Sequence, residues 1–305
     1  MTCDLSVCII NHHTPTLTLQ CVRSVLAGRD RLAIEVFVVN NTPDDAETIG
    51  ALSSLSADEA RVTVLQNAMP LGFSGNQNQM LSRASGRYLM PLNSDTLVQP
   101  GALSELVRCM DRLLRTGVCG PKLVYPDGRL QPSCRNFPTP VTHFLEASGL
   151  IRILKGSHLA GRWYYLAGPH DRLRRVDWLT GACLVVRAEA ARQVGYYDEE
   201  LFPGLYGEDM DWCWRMRAAG WHVMFDPHAV VTHLESQSPL GDRTVTMYRG
   251  FYTFCARHYP RSRQALIRLA TVLALMPRWF LTRDDERRRT YGQLMRLPMS
   301  SRGIK

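Results

Sequence analysis

The sequence predicts an α/β protein, a mostly parallel, doubly wound sheet flanked by helices and continued by a helical C-terminal extension. Three observations predict it. Short apolar, β-branched runs alternate with helix-period segments from Leu5 to Leu114. The connections between them are short, as successive crossover units require. Polar clusters follow the strand ends, at Asn11 to Thr14, Asn40 to Asp45 and Asn93 to Asp95. In sheets of this kind, ligands bind in the crevice beyond the carboxyl ends of the strands.

Taken in order, Leu5 to Ile10 reads as a buried strand, closed by Asn11-His12-His13-Thr14-Pro15. Thr16 to Leu26 has helical periodicity. Ile34 to Val39 is a second buried strand and Val62 to Leu65 a third. Gly72 to Arg83 is a helix after a glycine turn. Tyr88 to Leu92 is a fourth strand, running into Asn93-Ser94-Asp95. Pro100 to Leu114 is a helix with proline at its start, where the missing N–H costs little. The middle is irregular. Gly120 to Arg135 reads as turns and short strands, and Glu146 to Arg175 is a loop-rich stretch carrying Arg152, Lys155, Arg162, Arg172, Arg174 and Arg175 around Trp163, Tyr164 and Tyr165. Regular structure returns with a strand over Ala182 to Val186 and a helix over Asp209 to Ala219. There is no internal repeat and no low-complexity linker. We therefore expect one domain over residues 1–243 and a helical extension over 244–305.

The 305 residues are 45% hydrophobic and 21% charged, values that allow a sizeable core and argue against wholesale disorder. The net charge of +8 is concentrated in the tail. Arg257 to Lys305 holds twelve basic residues against Asp284, Asp285 and Glu286, so the body is near neutral. A basic patch seeks nucleic acid or an anionic membrane. The apolar run Leu266 to Leu281, with its Arg and Trp, favours a lipid interface over a nucleic-acid groove. Interrupted by Arg268 and Pro277, it falls short of the ~20 apolar residues that span a bilayer. It is read as lying on the membrane, or else as a core helix packed on the body. Nine cysteines without CxxC spacing, and no signal-like N-terminus, point to reduced thiols in a cytoplasmic protein.

Three sets of residues carry chemistry. Asn93-Ser94-Asp95 ends a strand in a carboxylate suited to Mg²⁺ or Mn²⁺, although such a tripeptide is commonly a turn or cap. Glu208-Asp209-Met210-Asp211 places three carboxylates in four residues at a helix start, more than capping needs, and a carboxylate can take a proton from an attacking hydroxyl. His233 closes the apolar run from Ala229 and can ligate a metal or simply pack.

The chain resembles the family 2 glycosyltransferases, and in particular their rhamnosyltransferase-like branch. The residues that carry the resemblance are Ser6 to Asn11, Val38 to Asn41, Pro70 to Asn78, Leu92 to Asp95, Gly120 to Lys122, Asp127-Gly128, Val176 to Cys183, Val194 to Asp198, Tyr206 to Asp211, Trp221 and His233, in this order over roughly residues 5 to 258. The resemblance implies that residues 1–243 form a GT-A (Rossmann-like) catalytic domain, with a donor half to about 125 and an acceptor half from about 126. It implies inverting transfer from a nucleotide-sugar of dTDP or UDP type, with dTDP-L-rhamnose first, to a cell-envelope glycan or glycolipid. It implies that Asp95 bridges metal and diphosphate, with Asn93 where the motif usually has Asp. His233 is a metal ligand, Asp209 the general base, and Glu208 its helper. Asn11 and Asn40 hold nucleobase and ribose, Asn40 standing where Asp is usual. Gly72, Phe73, Gly75 and Asn76 form the donor-side loop. Trp178, Thr180 and Gly181 wall the sugar and acceptor, with Asp211 nearby.

Other classes fit less well. A nucleotidyltransferase usually carries a glycine-rich basic loop after the first strand, which Asn11-His12-His13-Thr14 lacks. A nucleic-acid binder leaves the acidic cluster unexplained. A non-catalytic scaffold of the same descent is disfavoured by the presence of both Asp95 and Asp209.

Overall fold

The structure is a computed structural model that describes residues 3–154, 165, 168–234 and 243–300. Its first half repeats strand, helix, strand: β1 (Leu5–Asn11), α1 (Pro15–Ala27), β2 (Ile34–Asn40), α2 (Ala46–Asp58), β3 (Val62–Gln66), α3 (Phe73–Leu81) and β4 (Tyr88–Asn93). β1, β2, β3 and β4 pair in parallel, so that Asn11 stands opposite Asn40, Ile10 opposite Asn93 and Asn40 opposite Gln66. The polar strand ends therefore meet at one edge of the sheet. Leu5, Val7, Cys8 and Ile9 are all buried because helices cover both faces.

The second half contains β5 (Thr96–Val98), α4 (Ala102–Arg112), β6 (Thr116–Val124), β7 (Leu130–Gln131), β8 (Cys134–Arg135), α5 (Pro140–Ser148), α6 (Ile151–Leu154), β9 (Arg174–Val176), β10 (Trp178–Leu179), β11 (Val185–Arg187), α7 (Ala188–Val194), α8 (Glu208–Ala218) and β12 (His222–His233). The main sheet runs β3-β2-β1-β4-β11-β6-β12-β5, with β7 on β6 and β9 on β12. β11 lies antiparallel to both β4 and β6, so the sheet is mixed.

Several elements differ from the sequence reading, which expects neither α5 nor α7 nor a strand as long as β6, and three further differences have a local cause. α2 fills the stretch between Asp45 and Val62, where no helix was expected; Asp45 caps it by accepting the Thr48 N–H. α4 starts at Ala102 rather than Pro100, because Gly101 turns the chain with φ of +78°. The strand expected from Ala182 is shortened to Val185–Arg187, and Cys183 keeps only a single bridge to Leu92. Of the basic stretch between Arg152 and Arg175, Lys155, Arg162, Trp163 and Tyr164 lie outside the described residues.

The tail forms α9 (Arg243–His258), α10 (Arg261–Leu281) and α11 (Asp285–Arg296). α9 is packed tightly onto the body. A Cβ on Gly250 would sit 2.0 Å from the Tyr206 carbonyl oxygen, so glycine alone allows that contact. Tyr252, Phe254, Ile267 and Leu275 share one core with Phe202 and Met210 of the body. The helical extension thus holds the segment that leads into α8.

Candidate active site

A cleft of about 450 Å³ opens at the sheet edge where the polar strand ends gather. Ile10 and His12 line it from the end of β1, Asn41 from the end of β2, and Leu92 to Asp95 from β4. Pro70 to Phe73, with Asn76 and Gln77, form a second side. Thr180 to Ala182, Tyr206, Glu208, Asp209, His233 and Arg243 close the opposite side.

Register places the two expected metal ligands together. β5 pairs antiparallel with β12, Thr96 faces His233, and the Leu234 N–H donates to the Asp95 carbonyl. As a result His233 Nε2 lies 3.3 Å from Asp95 Oδ1. On the other side of the ring, Nδ1 lies 2.7 Å from Gln131 Oε1. An amide oxygen only accepts, so Nδ1 carries the proton, and in the neutral ring Nε2 turns its lone pair towards the carboxylate. Two such groups attract only when a proton or a cation stands between them. Adjacent ligands of a six-coordinate cation with bonds of about 2.1 Å stand about 3 Å apart, which this pair matches. Among the described residues no group of three His, Cys, Asp or Glu side chains could hold a metal. Among the described residues this pair offers two donors, a number that suits a cation completed by substrate phosphates and water.

The acidic cluster enters the cleft on α8. Tyr206 has φ of +80° and Gly207 of +100°, a strained turn that aims the first residues of the helix into the cleft. Asp209 accepts the Gly181 N–H at 2.9 Å and its neighbour Met210 N–H at 2.7 Å. Burial raises its pKa to about 6, with those two N–H groups pulling the other way. Glu208 is raised well above its ordinary value, first by burial and then by the charge of Asp209. Its Oε2 is buried with no hydrogen-bond partner among the described residues. Two adjacent carboxyls with separated proton affinities are an arrangement for moving a proton near neutral pH.

Several expected site residues lie elsewhere. Asn11 and Asn40 are fully buried beneath the cleft floor and do not line it. Asn11 Nδ2 donates to Asn40 Oδ1, Thr18 to Asn11 Oδ1, and Asn40 Nδ2 to Gln66 Oε1. Side chains alternate along a strand, so the residues that face the cleft are the next ones, His12 and Asn41. Asp211 is also inside, 2% exposed, bonded to Arg215 Nε and His258 Nε2 at 2.7 Å each. Burial opposes its ionisation, but His258 and Arg215 outweigh burial and hold its carboxyl below the usual range. It ties α8 to α9 rather than facing an acceptor. Trp178 does not line the cleft either; its indole N–H donates to the Asn136 carbonyl.

Gly72, Phe73, Asn76, Asn93, Asp95, Thr180, Gly181, Glu208, Asp209 and His233 do line it. Asn76 lends its amide to the loop itself, donating to the Leu71 and Gly72 carbonyls while accepting from Asn67. Gly72 has no room for a side chain, since a Cβ would sit 1.8 Å from the Pro203 carbonyl oxygen. His12, Asn41 and Tyr206 fall inside the clusters and runs noted in the sequence but were given no role there, and Arg243 and the supporting Gln131 were not singled out. For Asn41 the Asn40-Asn41 doublet was the available hint; Gln131 carries no local mark.

Known proteins share this architecture. GalNAc-T7, solved with UDP, GalNAc and Mn²⁺, superposes with a TM-score of 0.62 at 16% identity, over 83% of this chain and 48% of that one. TarS 1-349 of S. aureus, solved with UDP-GlcNAc, gives 0.58 at 14% identity, over 95% and 79%. These likenesses show the fold, which is GT-A. In sequence, the chain is 34% identical over 155 residues to the N-acetylglucosaminyl-diphospho-decaprenol L-rhamnosyltransferase of Mycobacterium tuberculosis (strain ATCC 25618 / H37Rv), a match over 50% of this chain and 48% of the relative. The chain thus spans about half the length of that relative, and 23% and 17% of two others. The family model described as "Glycosyltransferase like family 2" matches residues 3–253, and the chain belongs to that family.

Proposed function

We propose that this chain is an inverting, metal-dependent transferase that moves one sugar from a nucleotide-sugar to a hydroxyl of a cell-envelope glycan or lipid-linked oligosaccharide. L-rhamnose from dTDP-L-rhamnose is the first donor to test; a UDP-hexose or UDP-N-acetylhexosamine is the second. The observation that carries the reading is that one cleft holds both the Asp95–His233 pair and the Glu208–Asp209 pair. The rhamnosyl transfer named for the M. tuberculosis relative supports the donor and a lipid-carried acceptor, and the Mn²⁺ bound with UDP in GalNAc-T7 supports a divalent cation. A lipid-carried acceptor would be met at the cytoplasmic face of the membrane.

Asp209, ionised at neutral pH and fixed by the Gly181 and Met210 N–H groups, takes the proton of the acceptor hydroxyl as it attacks. Burial, and then the charge of Asp209, push the Glu208 carboxyl well above its ordinary value, which favours its neutral form beside the ionised base. Attack opposite the leaving group inverts the anomeric centre in one displacement, with no covalent nucleophile. Asp95 and His233 would hold the divalent cation, which offsets the charge that develops on the leaving diphosphate. Gly72 and Phe73 bring loop backbone and a ring against the donor, and Thr180 and Gly181 flank the sugar.

Calorimetric binding of dTDP, UDP, GDP, CDP and dTDP-rhamnose, each with Mg²⁺, Mn²⁺ or EDTA, tests the reading. Metal-dependent binding of one diphosphate supports it and names the nucleotide. Absence of binding by all of them, together with absence of transfer, would favour a non-catalytic scaffold.

A further inference from the structure

α10 has two apolar sides. Ile267, Ala270, Thr271, Ala274 and Leu275 face inward and are buried. On the opposite side Leu266, Leu269, Leu273, Met276 and Phe280 are between 41% and 64% exposed, and Leu281 is 82% exposed. From Leu266 to Phe280 the spacing of three and four residues draws one stripe along about 20 Å of helix, and Leu281 extends the apolar surface at its end. A helix face in water normally carries charge. Here the two arginines inside this stretch are turned inward, Arg268 donating to the Leu297 carbonyl at 2.8 Å and Arg278 to the Ala147 carbonyl at 2.7 Å. No charge interrupts the outer stripe.

At its C-terminal end the stripe meets a basic groove. The Trp279 ring packs edge-on against Phe280, with centroids 4.7 Å apart, and also lines a groove of about 560 Å³ between α10 and α11. Arg288, Arg289 and Arg296 line the same groove, and Gly292 leaves room beside the Trp279 indole. Among the described residues no carboxylate pairs with any of these three arginines. Arg288 makes long contacts, at 3.4 Å, with the Trp279 and Thr282 carbonyls, and its guanidinium lies 5.7 Å from the Trp279 ring centroid.

We propose that this face is a lipid-docking site: the groove takes the phosphate headgroup of an anionic lipid, and the outer stripe of α10 enters the boundary between headgroups and acyl chains. The inference rests on the reading that the acceptor is carried by a lipid, and adds a second binding site outside the cleft. Guanidinium forks suit phosphate oxygens, and an indole suits the interface. A free anion has no use for a contiguous stripe of leucine and phenylalanine, and nucleic acid would bury none of it. The run Leu266 to Leu281 is short for a bilayer span, but the helix extends back to Arg261, and its 21 residues are long and apolar enough to cross a membrane by length and composition. Its inner side, however, is packed on the body through Ile267 and Leu275, so it lies along the surface.

The test uses the full chain and sedimentation with phosphatidylcholine vesicles, with and without phosphatidylglycerol. One variant carries Leu269→Glu and Leu273→Glu; a second carries Arg288→Gln, Arg289→Gln and Arg296→Gln. All five positions are exposed, and unchanged nucleoside diphosphate binding in the cleft verifies folding. The wild type should bind the anionic vesicles far better than the neutral ones. The arginine variant should lose on the order of 100-fold, at about fivefold per arginine near an anionic surface, and the leucine variant at least tenfold. Equal binding by wild type and variants, or equal binding to both vesicles, overturns the proposal. So does tight binding of inorganic phosphate that the arginine variant loses, without vesicle binding, which would mark a soluble-anion site. Dimerisation that the leucine variant abolishes, without vesicle binding, would assign the stripe to a second copy. Vesicle binding by a chain that binds no nucleotide would leave this site standing and defeat only the transferase reading.

Discussion

Replacing Gln131 with leucine should cost metal affinity without touching either metal-facing side chain. His233 is 8% exposed and its ring sits between two acceptors, Gln131 Oε1 at 2.7 Å from Nδ1 and Asp95 Oδ1 at 3.3 Å from Nε2. A neutral imidazole has one proton for the two. Gln131 holds it on Nδ1 and leaves Nε2 bare for a cation. Without Gln131, Asp95 becomes the stronger claimant. The proton moves to Nε2, donates to the carboxylate and seals the site. A cation must then undo a hydrogen bond to a charged group, which is worth about 1.5–3 kcal/mol. That equals roughly a 10- to 100-fold loss of affinity, the range found for outer-shell partners of metal-bound histidines. The assay is Mn²⁺ titration in the presence of the cognate nucleoside diphosphate, followed by calorimetry, with ¹⁵N chemical shifts of the His233 ring reporting the tautomer in the metal-free protein. Gln131→Glu, which keeps an acceptor at Nδ1, should retain the affinity. If Gln131→Leu binds Mn²⁺ as tightly as wild type, or if the ring keeps its Nδ1–H form, the reasoning fails.

Further outcomes are expected. Asp209→Asn should lower transfer by about 10²–10⁴-fold, the usual worth of a general base, while donor affinity stays within a factor of two or so. Because burial raises the Asp209 pKa to about 6, and the base must be ionised, wild-type kcat/KM should climb as pH rises through that value; a profile flat down to pH 4 would remove Asp209 from the role. Asp211→Asn should destabilise the fold by about 2 kcal/mol, or about 5 °C in thermal unfolding, since it leaves Arg215 and the largely buried His258 without their anion. The Asp211 carboxyl is held below its ordinary value, so its contribution is present at neutral pH and fades as pH falls through the lowered pKa; the gap between variant and wild type should narrow in acid. Gly72→Ala should abolish nucleotide binding by displacing the loop from Pro203, and an alanine variant with wild-type donor affinity would mean that the loop does not touch the donor.

What the sequence disclosed, and what it withheld, follows from the range of the interactions involved. The first four strands, with α1 and α3 between them, were legible because apolar periodicity and strand-end polarity are local properties, visible within a few residues of Ile10 or Val39. The Asp95–His233 pair and the Glu208–Asp209 pair were legible through the resemblance, which fixes residue types at motif positions. The facing of individual side chains was not. Asn11 and Asn40 stand at the register positions that the motifs suggest, yet one residue of pleat turns them under the floor and turns His12 and Asn41 into the cleft. Asp211 shares its tetrapeptide with the base, but α8 separates Asp209 and Asp211 by about 200° around its axis at 100° per residue. One acid therefore meets the cleft, and the other meets His258 of α9. Gln131 was invisible for a different reason. It acts from a two-residue strand, 102 positions before the histidine it orients, and no local pattern marks a glutamine as the partner of an imidazole. The same distance explains the tail. Composition showed that Leu266 to Leu281 is apolar, whereas the division of that helix into a packed side and an open one is set by α5 and by Leu297, whose carbonyl draws Arg268 inward. An arginine facing outward at that position would have interrupted the apolar surface, so the exposed stripe is a product of tertiary packing as much as of sequence.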